Sequence, residues 1–134
     1  DEIQTEYWVD RAVAVDAIAA VRSIADRVEP ALLVTELRTV AADDLWLSPG
    51  FGRDSVCIHF TWKNEPDAVR TAISHVERVL APFDPRPHWG KVFSMPIGGS
   101  LPHLDDFREL VARVDPAGKF SGPYLERVLG IPAR

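Results

Sequence analysis

Eleven prolines are spread through the 134 residues, and they limit how far any helix or strand can run. Proline has no backbone N–H and a fixed φ, so it ends helices and stays out of sheet interiors. The chain is therefore read as short segments between these breaks. Residues 2–9 (EIQTEYWV) are rich in β-branched and aromatic side chains and predict a strand. Asp10 follows as a helix cap, and Ala14, Ala17, Ile18, Val21, Ile24, Ala25 and Val28 recur at helical spacing until Pro30 stops them. Residues 31–40 and 55–61 alternate as strands. After "KNEPD", with Asn64 as a cap, a helix carries Val69, Ala72, Ile73, Val76 and Val79 inward and ends at Pro82. A loop, "DPRPHWGK", leads into a strand predicted at 91–95. Helices at 104–114, with Leu104, Phe107, Leu110, Val111 and Val114 inward, and at 123–129 close the chain.

This order, β-α-β-β-α-β-α-α, predicts an α+β fold, a mainly antiparallel sheet with helices packed on one face. The length suits a single domain over residues 1–134. The first residue is Asp1, not methionine, which predicts a portion of a longer protein. Acidic and basic residues are interspersed at a net charge of −5, with no basic stripe for nucleic acid. No apolar run reaches the roughly 20 residues of a membrane span. Cys57 is the single cysteine, so no internal disulfide framework exists and a reducing, cytoplasmic setting is expected. The histidines lie far apart without HxxxH or HExxH spacing, and no metal site is expected. No glycine-rich loop opens a helix, so no nucleotide cradle is expected either.

Side chains alternate across a strand. Leu33, Thr35 and Leu37 share one face of the second strand, and Glu36 and Arg38 share the other. In the third strand Val56, Ile58 and Phe60 oppose Cys57, His59 and Thr61. If helices cover one face, Glu36, Arg38 and His59 lie on the other, where Lys91 can reach them. An acid, two cations and an imidazole can bind a polyhydroxyl ligand, since guanidinium donates and carboxylate accepts. Taken alone, the same Glu-x-Arg spacing is more commonly a solvated surface pair, and a lone histidine is more commonly structural.

The loop "RPHWGK" (86–91) raises a sharper possibility. Pro85 and Pro87 restrict it, Trp89 can anchor it, Gly90 admits close backbone approach, and Lys91 ends it.

Three stretches, "TELRTVAADDLWLSPGFGRDSVCIHFTW" (35–62), "APFDPRPHWGKVF" (81–93) and "LDDFRELVARVDPAGKF" (104–120), resemble the C-terminal part of the sugar-alcohol and sugar-lactone oxidases. These are flavoenzymes of the vanillyl-alcohol-oxidase fold. The likeness is greatest to the alditol (xylitol) oxidases, and it departs from the family at "GGSLPH" and "KFSGPYL". The resemblance implies a substrate-binding cap whose FAD is held by an N-terminal module, fused or separate. It implies that Glu36, Arg38, His59 and Lys91 bind substrate, and that Lys91 and Arg38 act in catalysis by favouring alkoxide character at the reacting hydroxyl. The hydride would pass to flavin and oxygen would become hydrogen peroxide. An aldonolactone oxidase or dehydrogenase, or a polyol-binding module without catalysis, are the alternatives. The 134-residue chain by itself is expected to hold no FAD.

Overall fold

The computed structural model describes residues 2–132. Four strands, β1 (Ile3–Asp10), β2 (Leu32–Val40), β3 (Ser55–Trp62) and β4 (Arg86–Pro87), form one antiparallel sheet in the order β2-β3-β1-β4. Helices α1 (Ala14–Arg22), α2 (Ala25–Val28), α3 (Pro66–Leu80), α4 (Leu104–Val114) and α5 (Pro123–Leu129) complete the described residues. Up to β4 the path is β-α-β-β-α-β with the first and third strands at the centre, the split arrangement of ferredoxin-like folds. The α+β reading of the sequence therefore holds.

The principal core lies between the sheet and α1–α3. Tyr7 and Val9 of β1 and Val56, Ile58, Phe60 and Trp62 of β3 meet Ala14, Ala17, Val69, Ala72, Ile73, Val76 and Leu80. Burying such side chains contributes about 1.5–3 kcal/mol apiece, before chain entropy is charged against it. Leu80, not Val79, takes the last inward place on α3, four residues beyond Val76 on the same stripe. The Trp62 indole donates to Thr5 Oγ1 at 3.0 Å, so its buried N–H is satisfied.

Several sequence expectations are corrected. The helix expected to run unbroken to Pro30 is interrupted at Ser23, whose hydroxyl donates to the Ala20 carbonyl at 2.7 Å and competes with the helical ladder. Asn64 does not cap α3; Glu65 holds the N-cap position without a side-chain bond, and Pro66 opens the helix. A bulge between Leu32 and Val34 shifts the register, so Leu32 packs on the core while Leu33 is 56% exposed.

The strand expected at 91–95 is absent. Chain pairing with β1 stops at Pro87, continues as single bonds from His88 N to Glu6 O and from Val92 N to Gln4 O, and is broken between them by a turn at Trp89–Gly90. Ser94 N then donates to the Glu77 carboxylate of α3, not to β1.

α4 and α5 build a second core away from the first. Leu104, Val128, Leu129 and Ile131 pack with Ile97 and Leu101, and Leu47, Trp89, Phe93, Phe107 and Val111 lean on them. That core ends at Val111, so Val114, expected inward, is exposed.

Candidate active site

Register places the polar groups in rows on the face opposite α1–α3. Glu6 pairs with His59, which pairs with Glu36; Trp8 pairs with Cys57, which pairs with Arg38. Because side chains alternate, both rows share the sheet side that Phe60, Ile58 and Tyr7 do not use. Glu36, Arg38 and His59 thus lie on one face, as alternation predicts. Lys91 arrives from the 88–91 turn.

Three of them, Arg38, His59 and Lys91, gather around a fifth residue, Glu6. Its Oε2 accepts from Lys91 Nζ at 2.8 Å and from Arg38 Nη1 at 3.4 Å, and lies 3.0 Å from His59 Nδ1. Its Oε1 accepts from Trp8 Nε1 at 2.7 Å. Lys91 Nζ is also 3.0 Å from His59 Nδ1, and His59 Nε2 is 3.2 Å from Thr61 Oγ1. Arg38 bridges Glu6 to Glu36, to which it donates through Nη2. Glu36 joins the other groups through Arg38.

Depth differs across the cluster. Glu6 and His59 are buried, Lys91 is mostly covered, and Arg38 and Glu36 are half exposed on the edge strand β2. Burial opposes the Glu6 charge, but hydrogen bonds from Lys91, His59 and Trp8 outweigh it and hold the carboxyl at about 2. Burial, aided by the Glu6 charge, pushes the neighbouring Cys57 thiol up to about 12. The two carboxylates, Glu6 and Glu36, match the two cations, Lys91 and Arg38, in charge.

The loop is held by both backbone and ring contacts. Trp89 Nε1 donates to Leu47 O at 2.8 Å and its ring joins the second core, so the anchoring role expected of it is seen. The Tyr124 hydroxyl donates to Trp89 O. Gly90 N donates to His88 Nδ1 at 3.1 Å, and a Cβ at Gly90 would stand 3.0 Å from His88 Cε1. The close approach at Gly90 is therefore to the loop's own histidine, whose ring a Cβ would push aside by a few tenths of an ångström. An open cleft beside Lys91 is lined by Gln4, Val92, Phe93, Tyr124 and Arg127.

Glu6 is the residue that sequence reading missed. The signal was present, since alternation in β1 sets Glu6 and Trp8 against Thr5, Tyr7 and Val9. Reading 2–9 only as a strand, without dividing its faces, conceals it. Among the described residues no set of three His, Cys, Asp or Glu side chains is placed to hold a metal ion, and no helix is long and apolar enough to cross a membrane.

Sequence comparison places this geometry among known proteins. Alditol oxidase of a Streptomyces species is 47% identical over 131 residues, covering 96% of this chain and 32% of that protein. L-gulono-1,4-lactone dehydrogenase of Mycobacterium tuberculosis is 30% identical over 133 residues, covering 95% of the chain and 30% of the relative. L-gulonolactone oxidase of Mus musculus is 28% identical over 100 residues, 69% of the chain and 22% of the relative. The chain thus spans about a third of the length of the first two relatives. The family profile of D-arabinono-1,4-lactone oxidase matches residues 2–128, and with nearly the whole chain accounted for in this way, the chain belongs to that family.

Proposed function

We propose that this chain is the substrate-binding cap of an FAD-dependent oxidase that oxidises the terminal hydroxyl of sugar alcohols. The observation that carries the reading is the gathering of Lys91, His59 and Arg38 on one buried carboxylate, with Arg38 extending to Glu36 on a half-exposed edge. Polyols offer donors and acceptors on adjacent carbons, and a guanidinium beside a carboxylate matches that alternation. The relatives support the class: the 47%-identical protein is an alditol oxidase. Lactone oxidation is the second reading, favoured by the 30%-identical dehydrogenase of a gulonolactone.

The donor set fits a roof over a flavin better than a cradle for one. Its cations and carboxylates lie on a sheet face, and the described residues include no glycine-rich turn opening a helix. The FAD-binding module belongs, on this reading, to the rest of the protein or to a separate partner. When bound, FAD supplies the acceptor for the hydride that leaves the alcohol carbon, and oxygen reoxidises it with release of hydrogen peroxide. Lys91 and Arg38 donate to the reacting hydroxyl oxygen and favour its alkoxide character. Glu36 accepts from substrate hydroxyls and Arg38 donates to them, fixing which carbon faces the flavin. His59 contributes from beneath, through Lys91. Such preorganised charge is worth most where water is excluded.

The test is an oxidase assay of the full-length protein with xylitol, sorbitol and aldonolactones, following peroxide and flavin reduction. Preference for the alditols is expected. Lys91→Ala should lower turnover by about 10²–10³ while flavin content is retained. Near-normal turnover in that variant, or reduction of the flavin by none of these substrates, would sink the proposal.

A further inference from the structure

We infer that Glu6 is a positioning residue of this site, whose buried carboxylate sets where the Lys91 ammonium stands and which ring nitrogen of His59 carries the proton. The inference rests on Lys91 being the cation that faces substrate.

Glu6 grips the Lys91 loop twice. Its backbone carbonyl accepts from His88 N at 2.8 Å, and its side chain accepts from Lys91 Nζ at 2.8 Å. The first contact fixes the start of the turn, and the second fixes the head of the side chain that leaves it. Trp8, two residues along the same face, occupies the other carboxylate oxygen and stops the group from rotating. A carboxylate only 5% exposed persists ionised when it is paired and hydrogen-bonded, as here.

Proton counting gives the second half. Nζ of Lys91, Oε2 of Glu6 and Nδ1 of His59 form a triangle with sides of 2.8, 3.0 and 3.0 Å. An ammonium has three donors and no acceptor. An ionised carboxylate only accepts, so the 3.0 Å contact of Oε2 with Nδ1 is a hydrogen bond only when Nδ1 carries the ring proton, which leaves Nε2 to accept from Thr61 Oγ1. Lys91 Nζ and His59 Nδ1 then stand 3.0 Å apart as two donors sharing one acceptor oxygen, and the remaining ammonium protons are left for a substrate oxygen. If the ring proton sits on Nε2 instead, Nδ1 turns a lone pair toward Oε2 and Glu6 loses a donor. Glu6 drives the choice because its charge favours a proton on the ring nitrogen that faces it. The other titratable or charged groups that bear on it are Arg38 and Glu36 from β2 and Cys57 from β3. Arg38 alone cannot replace Glu6, since without the carboxylate it would repel Lys91.

Two measurements on the full-length protein test this, and neither needs turnover. The first is nitrogen-15 NMR of selectively labelled histidine, with His59 assigned by its loss in His59→Gln. The wild-type ring should carry a proton on Nδ1, and Glu6→Gln should shift the population toward the Nε2-protonated tautomer. A wild-type ring with Nδ1 unprotonated overturns the inference, even if no Glu6 variant folds. The second is the rate of lysine acetylation mapped by peptide mass, with Lys63 and Lys119 as internal references. In Glu6→Gln, Lys91 should label about tenfold faster at a fixed pH, because the charge-assisted hydrogen bond that holds its ammonium in the cluster is weakened and the group is freed to the reagent. Glu6→Asp should fall between the two. An unchanged Lys91 rate in a folded variant overturns the proposal. If the wild type oxidises neither polyols nor lactones, the functional reading fails, while both measurements still report on Glu6.

Discussion

At the scale of single residues, Glu6 links the site to stability. Its carboxyl is held at about 2 against an ordinary 4.5. A group depressed in this way stabilises the fold fully above the unfolded value and loses that contribution as pH falls through the folded one. The contribution is on the order of 3 kcal/mol at neutral pH, lost between about pH 4.5 and 2. Urea unfolding at a series of pH values checks this. Glu6→Gln should be less stable than wild type at pH 7, and the gap should narrow steadily below pH 4.5. A gap that stays constant down to pH 3 contradicts the linkage. Cys57 offers a second check. Buried beside Glu6, with its thiol pushed up to about 12, it should resist thiol reagents at pH 8 in the folded protein and react only on unfolding. Rapid labelling under native conditions would place it elsewhere.

Among the elements, those with strong periodicity were legible in the sequence. β1, β3, α3 and α4 stand close to where alternation and helical spacing put them, because α3 and α4 each bury one stripe and β1 and β3 pair along their length without a register shift. The misses arise where a side chain or a distant group overrides local pattern. Ser23 breaks the first helix through its own hydroxyl, and the bulge in β2 moves Leu33 out of the row that alternation assigns it. The segment after Lys91 reads as a strand, yet Glu77 captures it: its Oε1 accepts from Ser94 N at 2.7 Å and from the Tyr7 hydroxyl at 2.9 Å. A carboxylate 17 residues upstream leaves no trace in the local pattern. Likewise Glu36, Arg38, His59 and Lys91 were legible as a set, but the convergence of the last three on Glu6 depends on register across the strands and on the Lys91 turn. Glu77→Ala should cost about 1–3 kcal/mol, mainly by leaving the Tyr7 hydroxyl unsatisfied. Glu77→Gln, which keeps a carbonyl acceptor, should cost less. Amide exchange at Ser94 reports the loosening directly, and unchanged protection there in Glu77→Ala would show that α3 does not hold this segment.

Across the whole molecule, the site stands between two cores that must keep a fixed relation. Glu6 and His59 are carried by the central strands of the first core. Lys91 is carried by a turn whose flanking Trp89 and Phe93 pack into the second. A 2.8 Å contact between Lys91 and Glu6 therefore reports on how well the second core is packed. Leu129 is its deepest residue, 1% exposed, and Arg108 Nε donates to the Leu129 carbonyl, tying α5 to α4. Leu129→Ala should cost about 2–5 kcal/mol through lost burial and the cavity left behind. Because few contacts join the cores, the loss should be local. Amide exchange should quicken through α4, α5 and residues 88–93, while the amides of β1 and β3 keep their protection. Lys91 should then acetylate faster, as in Glu6→Gln, although Glu6 itself is intact. Equal loss of protection in both cores would mean that they unfold as one unit. Loss confined to α4 and α5, with the Lys91 turn unmoved, would mean that Glu6 holds the ammonium without help from the second core.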